Sequence, residues 1–405
     1  MLVGRGSRED VRDRRAWDWA GSKRSETMEK RVLIISGETS GDIHGAALIE
    51  AMKEIIPALT VVGMGGPRMR EAGLDGFDAG DLAVVGVAEV VGKLPAILRR
   101  FRELKVLLDG EKIDAVILID YPDFNLRFAK EAKKRGIPVI YYISPQVWAW
   151  RKGRLQKIAR LVDKMLVVFP FEVPLYESVG VDVEFVGHPL LDRVHCQLEK
   201  NEAKNALGYD RTEVLVTLLP GSRKEEVNNL LPPMLEGAIE AAEVSRWKIR
   251  IIIPAAENID KTLLTNLLEG APDYVKAFKG EMYTTLRASD AAVIASGTAT
   301  LEAALIGTPM LIVYKLSTLS YLIAKIMVGL DYVGLPNIVS EKPLVPELIQ
   351  GAARPSNITQ ELSGLVEGGA ATDNIKEGLA KLKEEMGSPG ATRRAAEAVC
   401  KILQG

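Results

Sequence analysis

A chain of 405 residues exceeds what one ordinary hydrophobic core holds, so the length predicts two domains. With 47% hydrophobic and 26% charged residues the composition is that of a globular protein that folds in water. A net charge of −2 gives no overall electrostatic reason to expect nucleic acid as a partner. The two cysteines, Cys196 and Cys400, lie too far apart in sequence for a disulfide framework or a cysteine-based zinc site and fit a reducing compartment.

No apolar run approaches the roughly 18 residues needed to cross a bilayer. The first 27 residues are Arg-rich but carry acids and lack an apolar centre, so they fit neither a signal nor a transit peptide. Residues 1–28 read as a disordered leader, or as sequence upstream of a start at Met28.

The first strand, 31–36, runs straight into GETSGDIHGAAL. Gly37, Ser40, Gly41, Asp42 and Gly45 make a small-residue turn opening a helix, where ligand groups reach free backbone N–H. Glu38 and Asp42 make this loop acidic, better suited to sugar hydroxyls than to phosphate; an ordinary βα loop is the plain alternative. A second strand, 60–62, leads into GMGGPRM, with neither a dinucleotide fingerprint nor a P-loop.

Between 84 and 108, Val87, Val90, Val91, Leu94, Ile97 and Leu98 recur at helical spacing among Lys93, Arg99, Arg100, Arg102 and Lys105. The periodicity alone favours a core-facing helix with a solvated basic face, although such a segment also suits an anionic membrane surface. Pro95 predicts a break or a start within it.

The short β-branched run 115–119 reads as a strand buried on both faces. It delivers Asp120, Pro122, Asp123 and Asn125, and Pro122 restricts Tyr121 to extended geometry. Either aspartate could serve as general base while the other caps a helix begun at Asn125; both could also be caps. That helix runs to about Arg135, and the next strand, 138–143, delivers Ser144, Trp148, Trp150 and Arg151. Further strands at 164–169 and 183–186 follow, the latter ending at Gly187, His188 and Pro189. His188 is either a ligand contact across a cleft or a His-Pro turn.

The second half repeats the alternation with strands at 214–219, 249–253, 291–295 and 310–314 before a largely helical remainder. The first of these ends in a turn of Gly221, Ser222 and Arg223. The third ends in Ser296, Gly297 and Thr298, whose N–H groups and hydroxyls suit a diphosphate at a helix N-terminus. Glu302, one turn after Thr298, could accept both hydroxyls of a ribose, and Arg223 supplies a cation where diphosphate charge would grow. Helix capping by the hydroxyls and a surface ion pair for Arg223 are the ordinary alternatives. The fold class is therefore α/β: two Rossmann-like domains, 29–190 and 191–405, with parallel sheets facing a central cleft and a helical C-terminal segment.

The ordered motifs GETSGD (37–42), IDYPDFN (119–125), YISPQVWAWR (142–151), PFE (170–172), FVGHPL (185–190), LLPGSR (218–223), ASGTATLE (295–302) and LPN (335–337) resemble those of the bacterial lipid-A-disaccharide synthases. The resemblance covers essentially 30–400. It implies a GT-B glycosyltransferase that is inverting and needs no metal or other cofactor. Its substrates would be UDP-2,3-diacylglucosamine and 2,3-diacylglucosamine 1-phosphate (lipid X), its products UDP and the β(1→6) disaccharide of lipid A. It assigns Asp120 as base and places Arg223, Thr298, Glu302 and Asn337 on the UDP side. Gly37, Glu38 and Ser40 fall in the matching first-domain loop. It also shifts 84–108 towards acyl chains or inner-membrane lipids, and so implies a cytoplasmic, peripherally membrane-bound enzyme. A homodimer exchanging C-terminal segments is compatible with the sequence, and no nucleic acid is expected. An epimerase acting on UDP-sugars and a non-catalytic UDP-sugar-binding regulator are the rival readings.

Overall fold

The computed structural model describes residues 29–80, 87–145, 154–256, 259–315 and 332–404, with the backbone alone for Thr39 and for 87–93. The leader therefore lies outside the described residues.

In chain order the first part holds β1 (Lys30–Ser36), α1 (Thr39–Ile55), β2 (Leu59–Gly65), α2 (Pro67–Glu71), β3 (Leu74–Asp78) and α3 (Val87–Gly110). It continues with β4 (Ala115–Ile119), α4 (Pro122–Lys134), β5 (Val139–Tyr142), α5 (Leu155–Leu161), β6 (Lys164–Val167), α6 (Glu172–Glu177) and β7 (Val183–Phe185). Then come α7 (Leu190–Arg193), α8 (Lys200–Ala206), β8 (Val214–Leu219), α9 (Lys224–Val244), β9 (Ile249–Ala255), α10 (Lys261–Leu267), β10 (Val275–Lys279) and α11 (Met282–Ala288). The chain ends through β11 (Ala291–Ala295), α12 (Thr298–Ile306), β12 (Met310–Tyr314), α13 (Leu335–Ser340), β13 (Glu347–Ile349), α14 (Pro355–Glu367), α15 (Ala370–Glu385) and α16 (Ala391–Gln404).

Among the described residues two parallel sheets form. One has the order β3-β2-β1-β4-β5-β6-β7, the other β10-β9-β8-β11-β12-β13. The central strands are continuous apolar runs because helices cover both faces: every residue of β4 and of β11 is buried. The register sets Ser36 beside Ile119 and Ile294 beside Leu219. The loops after β1 and β4 are therefore neighbours, as are those after β8 and β11, which is where open α/β sheets bind ligands.

The last helix returns to the first sheet. α16 packs on α1, and its start is held by Asp192, which accepts from Gly390 N and from Thr392 N at 3.0 Å. Arg394 donates to the Val186 carbonyl at 2.8 Å, so this corner is pinned by hydrogen bonds as well as by apolar packing. The two sheets are thus joined twice, near 186–199 and near 386–390.

Three edge strands, β3, β10 and β13, escape a reading based on buried runs, because an edge strand covers little apolar surface: only Leu74 of β3 and Leu348 of β13 are buried, and no residue of β10 is. β2 is longer than 60–62. Its glycines continue the strand: a Cβ on Gly63, at φ +136°, would lie 2.1 Å from the Ile34 carbonyl oxygen. Pro95 neither breaks nor starts a helix but lies inside α3, where residues 94–96 are exposed.

Candidate active site

Asp120 and Tyr121, at the end of β4, both have left-handed backbone, at φ 46° and 47°. Tyr121 is thus not extended before Pro122, and the helix begins at Pro122 rather than at Asn125. Such conformations cost about 1–3 kcal/mol each and persist where the surroundings over-determine them. Here Asn125, fully buried, donates to the Asp120 carbonyl at 2.6 Å and to the Ile119 carbonyl at 3.2 Å. The Tyr141 hydroxyl also donates to the Asp120 carbonyl. The Tyr121 ring stacks on Phe124 at 5.4 Å and lies over Gly37, where a Cβ would come within 2.5 Å of it. Ile143, at the end of the adjacent β5, is left-handed as well, at φ 61°, which a β-branched residue seldom adopts. Two neighbouring strand ends therefore hold strained turns.

The strained turn sets the electrostatics of Asp120. Burial pushes its carboxyl from 3.8 up to about 7, and the charge of Glu38 pushes the same way against the Tyr121 N–H. Glu38 is itself raised by burial and lowered by Arg223, so Arg223 of the second half lies close enough to act on the first loop. Asp123 differs: it is exposed, pairs with Arg154 and, among the described residues, caps nothing. Asp42 is turned away from the loop and accepts from Met69 N and Arg68 N at the start of α2.

The second sheet contributes a cavity of about 510 Å³. Its walls include Gly221, Ser222, Arg223, Ser296, Gly297, Thr298 and Glu302, together with Glu226 and Met282. The hydroxyls do not cap α12: Gly297 precedes it without a side-chain cap, and Ser296 Oγ donates to the Val333 carbonyl at 3.1 Å. Among the described residues Thr300 N donates to the Gly297 carbonyl at 3.1 Å, while Thr298 and Ala299 line the cavity at the positive end of the helix. Glu226 orders the opposite turn, accepting from Ser222 N at 3.1 Å and from Arg223 Nη1 at 3.0 Å. Gly221, at φ 111°, has no room for a Cβ beside the Glu226 carboxylate. Arg223 thus makes the ion pair of the ordinary alternative, yet makes it on the cavity wall with most of its side chain exposed.

Comparison with known proteins bears on this geometry. A family model described as lipid-A-disaccharide synthetase matches residues 32–402. A curated lipid-A-disaccharide synthase of Syntrophus aciditrophicus is 49% identical over 369 residues, covering 91% of this chain and 96% of its own length. That of Trichlorobacter lovleyi is 44% identical, covering 93% and 98%. The chain belongs to the lipid-A-disaccharide synthetase family. It is a glycosyltransferase enzyme of lipid A biosynthesis, and neither the epimerase nor the regulator reading is favoured. Among solved structures, Acinetobacter baumannii MurG has a TM-score of 0.57 at 15% identity, covering 92% of this chain and 99% of its own. The UDP complex of S. aureus MnaA has 0.63 at 13%, covering 93% and 97%. At such identities the likeness is one of fold, that of two Rossmann-like domains.

Against the family motifs, several residues take other roles than the sequence suggests. Asn337 is buried and its carboxamide is taken up within the protein: Nδ2 donates to Val345 O and Glu347 Oε1 and Oδ1 accepts from Val345 N, each at 2.8 Å. It fastens α13 to β13 and does not line the cavity. Ser144 is buried and donates to Glu172, whose second oxygen accepts from Phe169 N at 3.2 Å. The acid of the PFE motif thus holds the loop after β5 in place. His188 is a buried turn residue: its Nδ1 accepts from Leu190 N at 3.1 Å, and Phe169 packs 5.1 Å away. Burial, then the charge of His44, pushes His188 down to about 3, so the ring is neutral. Ser40 lies in the first turn of α1. Trp148, Trp150 and Arg151, like the side chains of Val87, Val90 and Val91, lie outside the described residues.

On α3, Leu94 and Leu98 are exposed, at 45% and 44%, whereas Ile97 and Phe101 pack on the core with buried Leu104 and Leu108. The basic residues are partly paired: Arg99 and Arg100 with Glu103, Lys105 with Glu131. Tyr141 and Glu226 carry no signal in the sequence, since each acts through a neighbour that only the folded chain supplies.

Proposed function

We propose that the chain joins UDP-2,3-diacylglucosamine to lipid X by a single displacement, with Asp120 as the general base on the acceptor 6-hydroxyl. Asp120 draws the proton as the hydroxyl oxygen attacks the donor's anomeric carbon, and UDP leaves from the opposite face. Charge growing on the diphosphate meets Arg223 and the N–H groups at the start of α12, while Glu302 takes the ribose hydroxyls. No metal is needed in this reading, because a guanidinium and a helix N-terminus supply the positive charge.

The observation that carries the reading is the division of the cleft. A carboxylate with an affinity for protons near neutrality stands on one sheet edge, and a cavity lined by Arg223 and by the start of α12 stands on the other. Exposed Leu94 and Leu98 support a further part of it: the start of α3 rests on acyl chains or on the inner-membrane surface. No helix among the described residues is long and apolar enough to cross a membrane, so contact of this kind would be peripheral.

UDP release from UDP-2,3-diacylglucosamine, measured in detergent with excess EDTA, tests the proposal. Release that requires lipid X and survives EDTA supports it. Release without lipid X contradicts the acceptor role, and loss in EDTA contradicts the metal-free chemistry.

A further inference from the structure

Glu302 needs more than position to read a ribose. It is 8% exposed, and burial pushes its carboxyl up, towards a protonated form that would donate a hydrogen bond rather than accept two. Two groups oppose this. Tyr283, in the first turn of α11, donates its hydroxyl to Glu302 Oε1 at 2.9 Å. Arg193, at the end of α7, lowers both Glu302 and Tyr283 by its charge. Arg223 and Glu226, an ion pair at 3.0 Å, are the other charged residues that line the same cavity. Tyr283, pushed up to about 12, chiefly by burial and then by Glu302, remains a donor. Met282 lines the cavity and Tyr283 does not. Among the described residues nothing bonds Glu302 Oε2.

We propose that Tyr283 is the positioning residue for ribose recognition. By occupying Oε1 it fixes the Glu302 carboxylate as an acceptor with Oε2 open to the ribose diol, and so makes this site prefer a ribonucleotide to its 2′-deoxy counterpart. The inference rests on the donor reading above. Tyr283 touches no ligand; its effect is on what Glu302 presents.

Calorimetric titration of the full chain with UDP and with 2′-deoxy-UDP, at pH 8 and at pH 6, separates the possibilities. The wild type should favour UDP by about tenfold, the scale of one hydrogen bond to a charged group. Tyr283→Phe keeps the ring and its packing. Its preference should fall towards unity at pH 8, almost all of the loss being in UDP. Its UDP affinity should also fall more steeply than that of the wild type between pH 8 and pH 6. A variant that weakens both ligands equally, or that keeps the full preference and the wild-type pH dependence, overturns the inference. A wild type that binds UDP with no preference overturns it as well but leaves the donor site intact, whereas one that fails to bind UDP removes the donor reading itself.

Discussion

Replacing Asp120 by Asn separates chemistry from binding and from folding. The amide fills the same space and keeps the strained turn, since Asn125 and Tyr141 hold it through the Asp120 carbonyl. Loss of a general base costs about 10²–10⁴ in turnover. UDP affinity should change little, because the diphosphate cavity belongs to the other sheet. Stability should move the opposite way. The folded protein holds the carboxyl proton up to about pH 7 and the unfolded chain releases it near 3.8. The difference corresponds to about 4 kcal/mol lost by the wild type as the pH rises through that window, and Asn does not incur it. Thermal unfolding of D120N should therefore have a higher midpoint than wild type at pH 8, and the two should converge by about pH 4. Turnover near the wild-type level, or a variant less stable at pH 8 than at pH 4 relative to wild type, would refute the assignment.

Further expectations concern the same edge and the junction of the sheets. Glu38→Gln removes a charge that raises Asp120, so the acid limb of kcat/KM should move to lower pH; a limb that stays or rises would uncouple the two carboxylates. Gly37→Ala places a Cβ 2.5 Å from the Tyr121 ring, so turnover should fall at least about tenfold through a displaced Asp120 turn while UDP affinity holds. Equal loss of both, read by calorimetry beside steady-state rates, would mean a general unfolding of the loop. Asp192→Ala leaves two N–H groups at the start of α16 without their acceptor, which should cost about 1–3 kcal/mol and expose the C-terminal helix to proteolysis. A cleavage rate equal to wild type would show that apolar packing alone holds α16.

Much of this architecture is legible in the sequence because central parallel strands are buried on both faces. β4, β11 and β12 read as unbroken apolar runs, β8 as one interrupted only by Thr217, and all four occur where those runs lie. The edge strands β3, β10 and β13 are not legible, since partial exposure removes the signal, whereas the edge strand β7 is read at 183–186. The cavity residues around Arg223 and Thr298 are legible for another reason: glycine and hydroxyl residues at strand ends have a local geometric cause. The turn at Asp120 shows the limit of local rules. The residue before a proline is expected to be extended, yet Tyr121 is left-handed: Asn125 and Tyr141 hold the Asp120 carbonyl before it, and its ring stacks on Phe124 in the space that Gly37 leaves. Asn337 and Ser144 mislead in the opposite sense, since nothing local tells a buried amide or hydroxyl held by Glu347 or Glu172 from one that meets a ligand.

The configuration of the new glycosidic bond tests the central claim most directly. If Asp120 and the diphosphate cavity act from opposite sides of the sugar, the ¹H NMR spectrum of the disaccharide formed from the α-linked UDP donor should show a β anomeric proton. An α product would mean that attack does not come from the face opposite UDP, and the division of the cleft between a base on one sheet and a leaving-group site on the other would be wrong.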